Sequence, residues 1–97
     1  MTMYAVSYDL RKEYSAEAWE RIDEALKTAF DWCTPLYSFW IIETGLAPSG
    51  VINALLHLGA LDDNDGIVVL EMTGKGDFRR VRDQACADWL NGHLILA

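Results

Sequence analysis

Apolar and polar side chains alternate at the start of the chain: in "MYAVSYDL" Tyr4, Val6 and Tyr8 share one face, with small Ala5 and Ser7 on the other. This period of two predicts a strand over Met3–Tyr8. The period then lengthens. In "SAEAWERIDEALKTAF", Ser15 to Phe30, the residues Trp19, Ile22, Leu26, Ala29 and Phe30 form one stripe, which predicts an amphipathic helix with Ser15 as N-cap and Glu17 at the positive end of its dipole. Its other face pairs Glu17 with Arg21 and Asp23 with Lys27 at i,i+4 spacing.

"DWCTPLYSFWIIET", Asp31 to Thr44, is aromatic and β-branched, a strand composition. Pro35 lacks an N–H for a central ladder, so the segment is expected to divide into a short strand or turn at Trp32–Thr34 and a longer strand at Leu36–Thr44. "APSGVINALLHLGAL" predicts a short helix, with Pro48 in its first turn, Val51, Ile52, Leu55 and Leu56 facing inward, and Gly59 as its stop. After the turn signal "DDNDG", the unbroken run "IVVLEM" predicts a central strand covered on both faces. "GDFRRVRDQACADWLNG" places Phe78, Val81, Ala85, Trp89 and Leu90 at helical spacing, ending at Asn91 and Gly92. The apolar tail "HLILA" is expected to add a strand to a sheet edge, in its own chain or a partner's.

This order predicts an α+β fold, a ferredoxin-like sandwich (βαββαβ) with two helices on one face of a four-stranded sheet, plus a C-terminal helix and a terminal strand. Residues 1–97 make a single domain, with 77–97 as its extension. A chain of 97 residues buries roughly 60 to 68% of its unfolded surface. At 52% hydrophobic residues with four Trp, four Tyr and three Phe, part of the apolar surface is expected to be covered by a second copy or another partner.

The net charge of −7 and pI near 4.5 argue against strong nonspecific binding of nucleic acid. Basic charge is local: Thr28 to Gly74 has no Lys or Arg, whereas "KGDFRRVR", Lys75 to Arg82, has four bases and one acid. That run reads as the polar face of a helix or as a nucleic-acid or partner contact. The start of the chain predicts no signal peptide, and no apolar run reaches membrane-spanning length. Cys33 and Cys86 have no ligand spacing around them, so both are expected to be reduced thiols acting as small hydrophobes in a cytoplasmic protein. His57 and His93 read as structural. An EF-hand reading fails because its first ligand would be Leu61, and "TGKG" lacks the upstream P-loop glycine, that place being Val69.

Asp9, at the end of the first strand and followed by Arg11 and Lys12, is either a metal-binding carboxylate or the acid that starts a turn. As a ligand it supplies one hard oxygen group per chain. A twofold axis would supply two, a sparse but sufficient set for Mg2+ with its retained waters and a substrate phosphate. Arg11 or Lys12 would then hold that phosphate; otherwise both are solvated turn charges.

The strand ending in "YDL", the "YSFW" segment leading to "APSG", and "DDNDGIVVLEM" together resemble the small ferredoxin-like CRISPR-associated adaptation protein and its relatives, the VapD-type ribonucleases and SinR-like proteins. The match runs from about Met3 to Met72, and "ADWLNGHL" is closer to the SinR-like branch. The resemblance implies a homodimer in which Asp9 faces its mate across a cleft and binds a divalent metal. It places Ser38 at the serine of a Ser-x-Phe segment, with Trp40 where the family has Phe. Two functions are expected: from the resemblance, a magnesium-dependent endoribonuclease or endonuclease at the dimer cleft; from the acidic surface, with its pI near 4.5, a non-catalytic protein that blocks a nucleic-acid-binding partner as an anti-CRISPR-like inhibitor or acts as an adaptor.

Overall fold

The computed structural model describes residues 1–10 and 16–96. In chain order the elements are β1 (Thr2–Asp9), α1 (Ala16–Leu26), β2 (Asp31–Leu36), β3 (Phe39–Thr44), α2 (Pro48–His57), β4 (Gly66–Glu71), β5 (Lys75–Gly76), α3 (Gln84–His93) and β6 (Ile95–Leu96). The protein is thus a small α+β globule. Its main sheet has the strand order β2-β3-β1-β4, with every neighbouring pair antiparallel.

Strand alternation assigns the two faces. Tyr4, Val6 and Tyr8 of β1 with Trp40 and Ile42 of β3 pack against Ala18, Ile22 and Leu26 of α1 and Val51 and Leu55 of α2, forming the larger core. Here Val6 and Ile22 are wholly buried. Gly59 ends α2 as expected: at φ +73 it takes the left-handed conformation a glycine adopts without a steric penalty, and its N–H bonds Leu56 O at 3.1 Å. The helix before it buries Val51 and Leu55 but exposes Leu56.

On the opposite face a smaller cluster joins Cys33 and Ile41 to Cys86 and Leu90 of α3, with Met3, Phe39, Met72, Phe78, Val81 and Trp89 around them. This cover reaches only part of the face. Beside it Ser7, Val68 and Leu70 stay exposed, Val68 at 53% and Leu70 at 61%.

Several expectations need correction. Pro35 does not divide the Asp31–Thr44 segment; it lies within β2, and the turn is Tyr37–Ser38. Because β2 is an edge strand and its register slips between Cys33 and Leu36, the missing N–H is tolerated. β4 is likewise an edge strand, not a central one, since among the described residues β1 is its one neighbour in the sheet. Its apolar run is split by side, Ile67 and Val69 half-buried and Val68 and Leu70 exposed. The first helix stops at Leu26, so Phe30 lies outside it and is 72% exposed; its expected cap, Ser15, falls outside the described residues.

The last helix also begins later than its periodicity implies. Asp83 caps α3 by accepting a hydrogen bond from Cys86 N at 2.8 Å, an interaction that contributes about 1 kcal/mol. The helix runs through Asn91 and Gly92 to His93. Ahead of it, residues 77–83 are irregular, with Arg80 at φ 56. The basic run is therefore not the polar face of a helix. The tail adds its strand within its own chain: β6 pairs in parallel with β5 as a separate two-stranded sheet.

Cys33 and Cys86 are buried as expected, but they are joined in a disulfide between β2 and α3. The 53-residue separation conceals this pairing, and packing of α3 on the sheet brings the two Cα atoms to 5.7 Å. Such bonds persist in oxidising compartments and are rare in reduced cytosol, so the cysteines no longer argue for a cytoplasmic setting. Among the described residues, no helix is long and apolar enough to cross a membrane.

Candidate functional site

Asp9 closes β1 in register with Gly66 of β4 and is exposed. Alternation along β1 puts it on the face of Ala5 and Ser7, at the rim of the uncovered patch. Ser38 belongs to the same end of the sheet, for its carbonyl accepts the Tyr8 N–H at 3.2 Å. At φ 59 it occupies the tight turn before β3. The two sequence-identified residues thus share one end, with Ser38 contributing its backbone to that link. Arg11 and Lys12 lie outside the described residues.

Other groups gather at this end. The Arg82 guanidinium stacks 4.5 Å from the Tyr37 ring centroid and donates to Thr34 Oγ1 at 3.2 Å. On the helix-covered face, a groove of about 440 Å³ opens between Tyr8, Trp19, Asp23, Tyr37, Ser38 and Arg82. In its wall the Tyr8 hydroxyl accepts from Trp40 Nε1 at 3.1 Å and points at Asp23 Oδ1, 3.5 Å away. Burial, partly opposed by the Trp40 bond, pushes the Tyr8 phenol up to about 12.

The opposite end of the sheet holds a cluster that the sequence reading did not identify. Asp31 begins β2 and faces Glu43 of β3 in the antiparallel register, and His93 comes in from the last turn of α3. One ligand-type atom from each lies within 4.8 Å of the others. Asp31 Oδ1 accepts from Trp89 Nε1 at 2.9 Å and from Trp32 N at 2.9 Å, leaving Oδ2 at 3.1 Å from His93 Nε2. On the other side of the imidazole, Nδ1 meets Trp89 O at 2.7 Å, and the Trp89 and His93 rings stack 3.7 Å apart at 9°. The indole N–H of Trp89 is the main cause holding the Asp31 carboxyl below its ordinary range, aided by the Trp32 N–H and by His93 against some desolvation.

Spacing along the sequence assigns His93 a structural role, because no partner stands at ligand distance from it in the chain. Its partners lie 62 and 50 residues away and meet it only through the sheet register and the packing of α3 on β2. The one local hint is that Asp31 and Glu43 stand at opposite ends of an apolar double strand, where a hairpin would pair them.

Protein-family models, curated proteins and solved structures yield no match to this chain.

Proposed function

We propose that the chain is a ferredoxin-like homodimer of the CRISPR-adaptation or VapD type that binds Mg2+ between paired Asp9 side chains and cleaves phosphodiester bonds of RNA or DNA there. The strand order β2-β3-β1-β4, with α1 and α2 packed on one face, supports the ferredoxin-like assignment. The observation that carries the functional reading is the position of Asp9 at the rim of an uncovered patch formed by Ser7, Val68 and Leu70 beside the half-buried Ala5. Small residues on β1 beside exposed apolar residues on β4 suit close apposition of two sheets, and a twofold axis there brings the carboxylates together. At the same end, but in the groove on the helix-covered face, Arg82 and the 82%-exposed Tyr37 suit a phosphate and a stacked base farther along a bound strand.

One observation favours a second reading. Asp62, Asp63 and Asp65 lead into Gly66, the cross-strand partner of Asp9, so carboxylates crowd the place where a phosphate would approach. With a net charge of −7, that end suits a basic protein partner, which a non-catalytic inhibitor or adaptor would engage.

Calorimetric titration of Mg2+ and Mn2+ into wild type and Asp9→Ala, with mass by light scattering, separates the two. The nuclease reading expects a dimer taking up one ion, loss of that uptake in the variant, and cleavage of RNA or DNA that disappears with it. A wild-type protein that takes up no Mg2+ or Mn2+ overturns it and leaves Asp9 as a turn residue.

A further inference from the structure

We propose that Asp31, Glu43 and His93 form a binding site for a transition-metal dication of the Zn2+ class, separate from Asp9 and at the other end of the sheet. Geometry around the imidazole carries the argument. A backbone carbonyl only accepts hydrogen bonds, so the 2.7 Å contact of His93 Nδ1 with Trp89 O requires the proton on Nδ1. In the neutral ring Nε2 then presents its lone pair, yet it faces Asp31 Oδ2 at 3.1 Å. Two acceptors at that distance repel unless a cation lies between them. That cation is a metal ion or a second proton on the ring.

The surroundings favour the metal. An ion about 2.0 to 2.1 Å from both atoms would subtend roughly 100° between them, close to the tetrahedral angle. Glu43 supplies a third ligand from the neighbouring strand, its carboxylate within 4.8 Å of the other donors. A side-chain rotation moving it inward by roughly 1 to 1.5 Å completes the set. The outer contacts match those that orient metal ligands elsewhere: Trp89 fixes the Asp31 carboxylate through its indole N–H and the His93 tautomer through its carbonyl. Glu43 and His93 also line a cleft of about 520 Å³ with Thr2, Glu71 and Thr73, so a fourth position opens to water, as in zinc sites that keep an exchangeable ligand. One imidazole with two carboxylates selects zinc, cobalt or nickel over magnesium, which prefers oxygen ligands alone. This preference separates the site from the one proposed at Asp9.

The test is calorimetric titration of ZnCl2 at neutral pH into the full chain and into His93→Ala, Glu43→Gln and Asp9→Ala, with Co2+ absorption spectra on the same proteins. The expected result is one ion per chain, a tetrahedral cobalt spectrum, and affinity at least about tenfold weaker in the His93 and Glu43 variants, with Asp9→Ala unchanged. Far-UV circular dichroism of the metal-free variants checks folding. Should His93→Ala unfold, Glu43→Gln decides, because it removes a charge while keeping the side-chain shape. Absence of saturable Zn2+ binding to the wild type overturns the proposal and assigns the cation to a proton on His93. Equal affinity in wild type and Glu43→Gln overturns it as well.

Discussion

The two ends of the main sheet hold polar chemistry of opposite kinds. At the end with Asp9, an exposed carboxylate closes a strand beside an uncovered patch that includes Val68 and Leu70. At the other end, Asp31, Trp89 and His93 fix one another: each oxygen of Asp31 and each ring nitrogen of His93 has a named neighbour. An exposed group at a strand end needs a second molecule to become a site. A group tied to its neighbours through long-range packing is oriented within a single chain. On the reading proposed above the first end works through association, whereas the second rests on the docking of α3.

The largest expected effect tests that dependence on α3. The disulfide spans 53 residues and ties β2 to the helix that carries His93. Closing a loop of that length restricts the unfolded chain by roughly 4 kcal/mol in the loop-entropy treatment. Reduction, or the Cys33→Ala/Cys86→Ala double substitution, is expected to lower the urea midpoint sharply and to speed hydrogen exchange in α3 more than in α1. Zn2+ uptake should weaken with it, whereas Mg2+ uptake at Asp9 should not. A midpoint insensitive to reductant would remove the contrast between the two ends.

What the sequence discloses follows the same division. Strand β1, helix α2 with its Gly59 stop, and the place of Asp9 at the end of the first strand are legible because each rests on neighbours within a few residues. Pro35 and the "IVVLEM" run depart from expectation for one reason: both lie in edge strands, and edge or centre is a property of the assembled sheet. The run from Lys75 to Arg82 has helical spacing, yet Phe78 and Val81 reach the smaller core from irregular backbone. Periodicity reports which residues are buried more reliably than the backbone that buries them. The Asp31–Glu43–His93 cluster and the Cys33–Cys86 bond join elements from both halves of the chain, and although a hairpin pairs Asp31 with Glu43, no local pattern brings His93 or Cys86 to it.

Acid and alkali should act on different ends. The folded-state pKa of Asp31 lies below its unfolded value, so its stabilising contribution is present above about pH 4 and is lost as pH falls through the folded value. Tyr8 behaves in the opposite sense. Its phenol titrates near 12 when folded and near 10 when unfolded, so its contribution is complete below about pH 10 and is lost as pH rises toward 12. Urea midpoints measured across the acid range should flatten in Asp31→Asn, and those across the alkaline range in Tyr8→Phe. Because Asp31 is partly exposed, its effect should be the smaller one, reduced further by salt. A wild-type acid limb identical to that of Asp31→Asn would show that the carboxylate's ties to Trp89 and Trp32 add nothing to folding.

The smallest expected effect on stability bears most directly on function. Asp9 is exposed at a strand end, and substitutions at such surface positions usually change stability by no more than about 0.5 kcal/mol. If Asp9→Ala leaves the urea midpoint within that margin but abolishes Mg2+ uptake, the residue serves a ligand and the uncovered patch serves an assembly. A loss of more than about 1 kcal/mol without any change in metal uptake would assign Asp9 to the turn after β1, where an Asp side chain commonly bonds the backbone that follows. The end of the sheet most legible in the sequence would then be structural, and the chemistry would belong to the end assembled by α3.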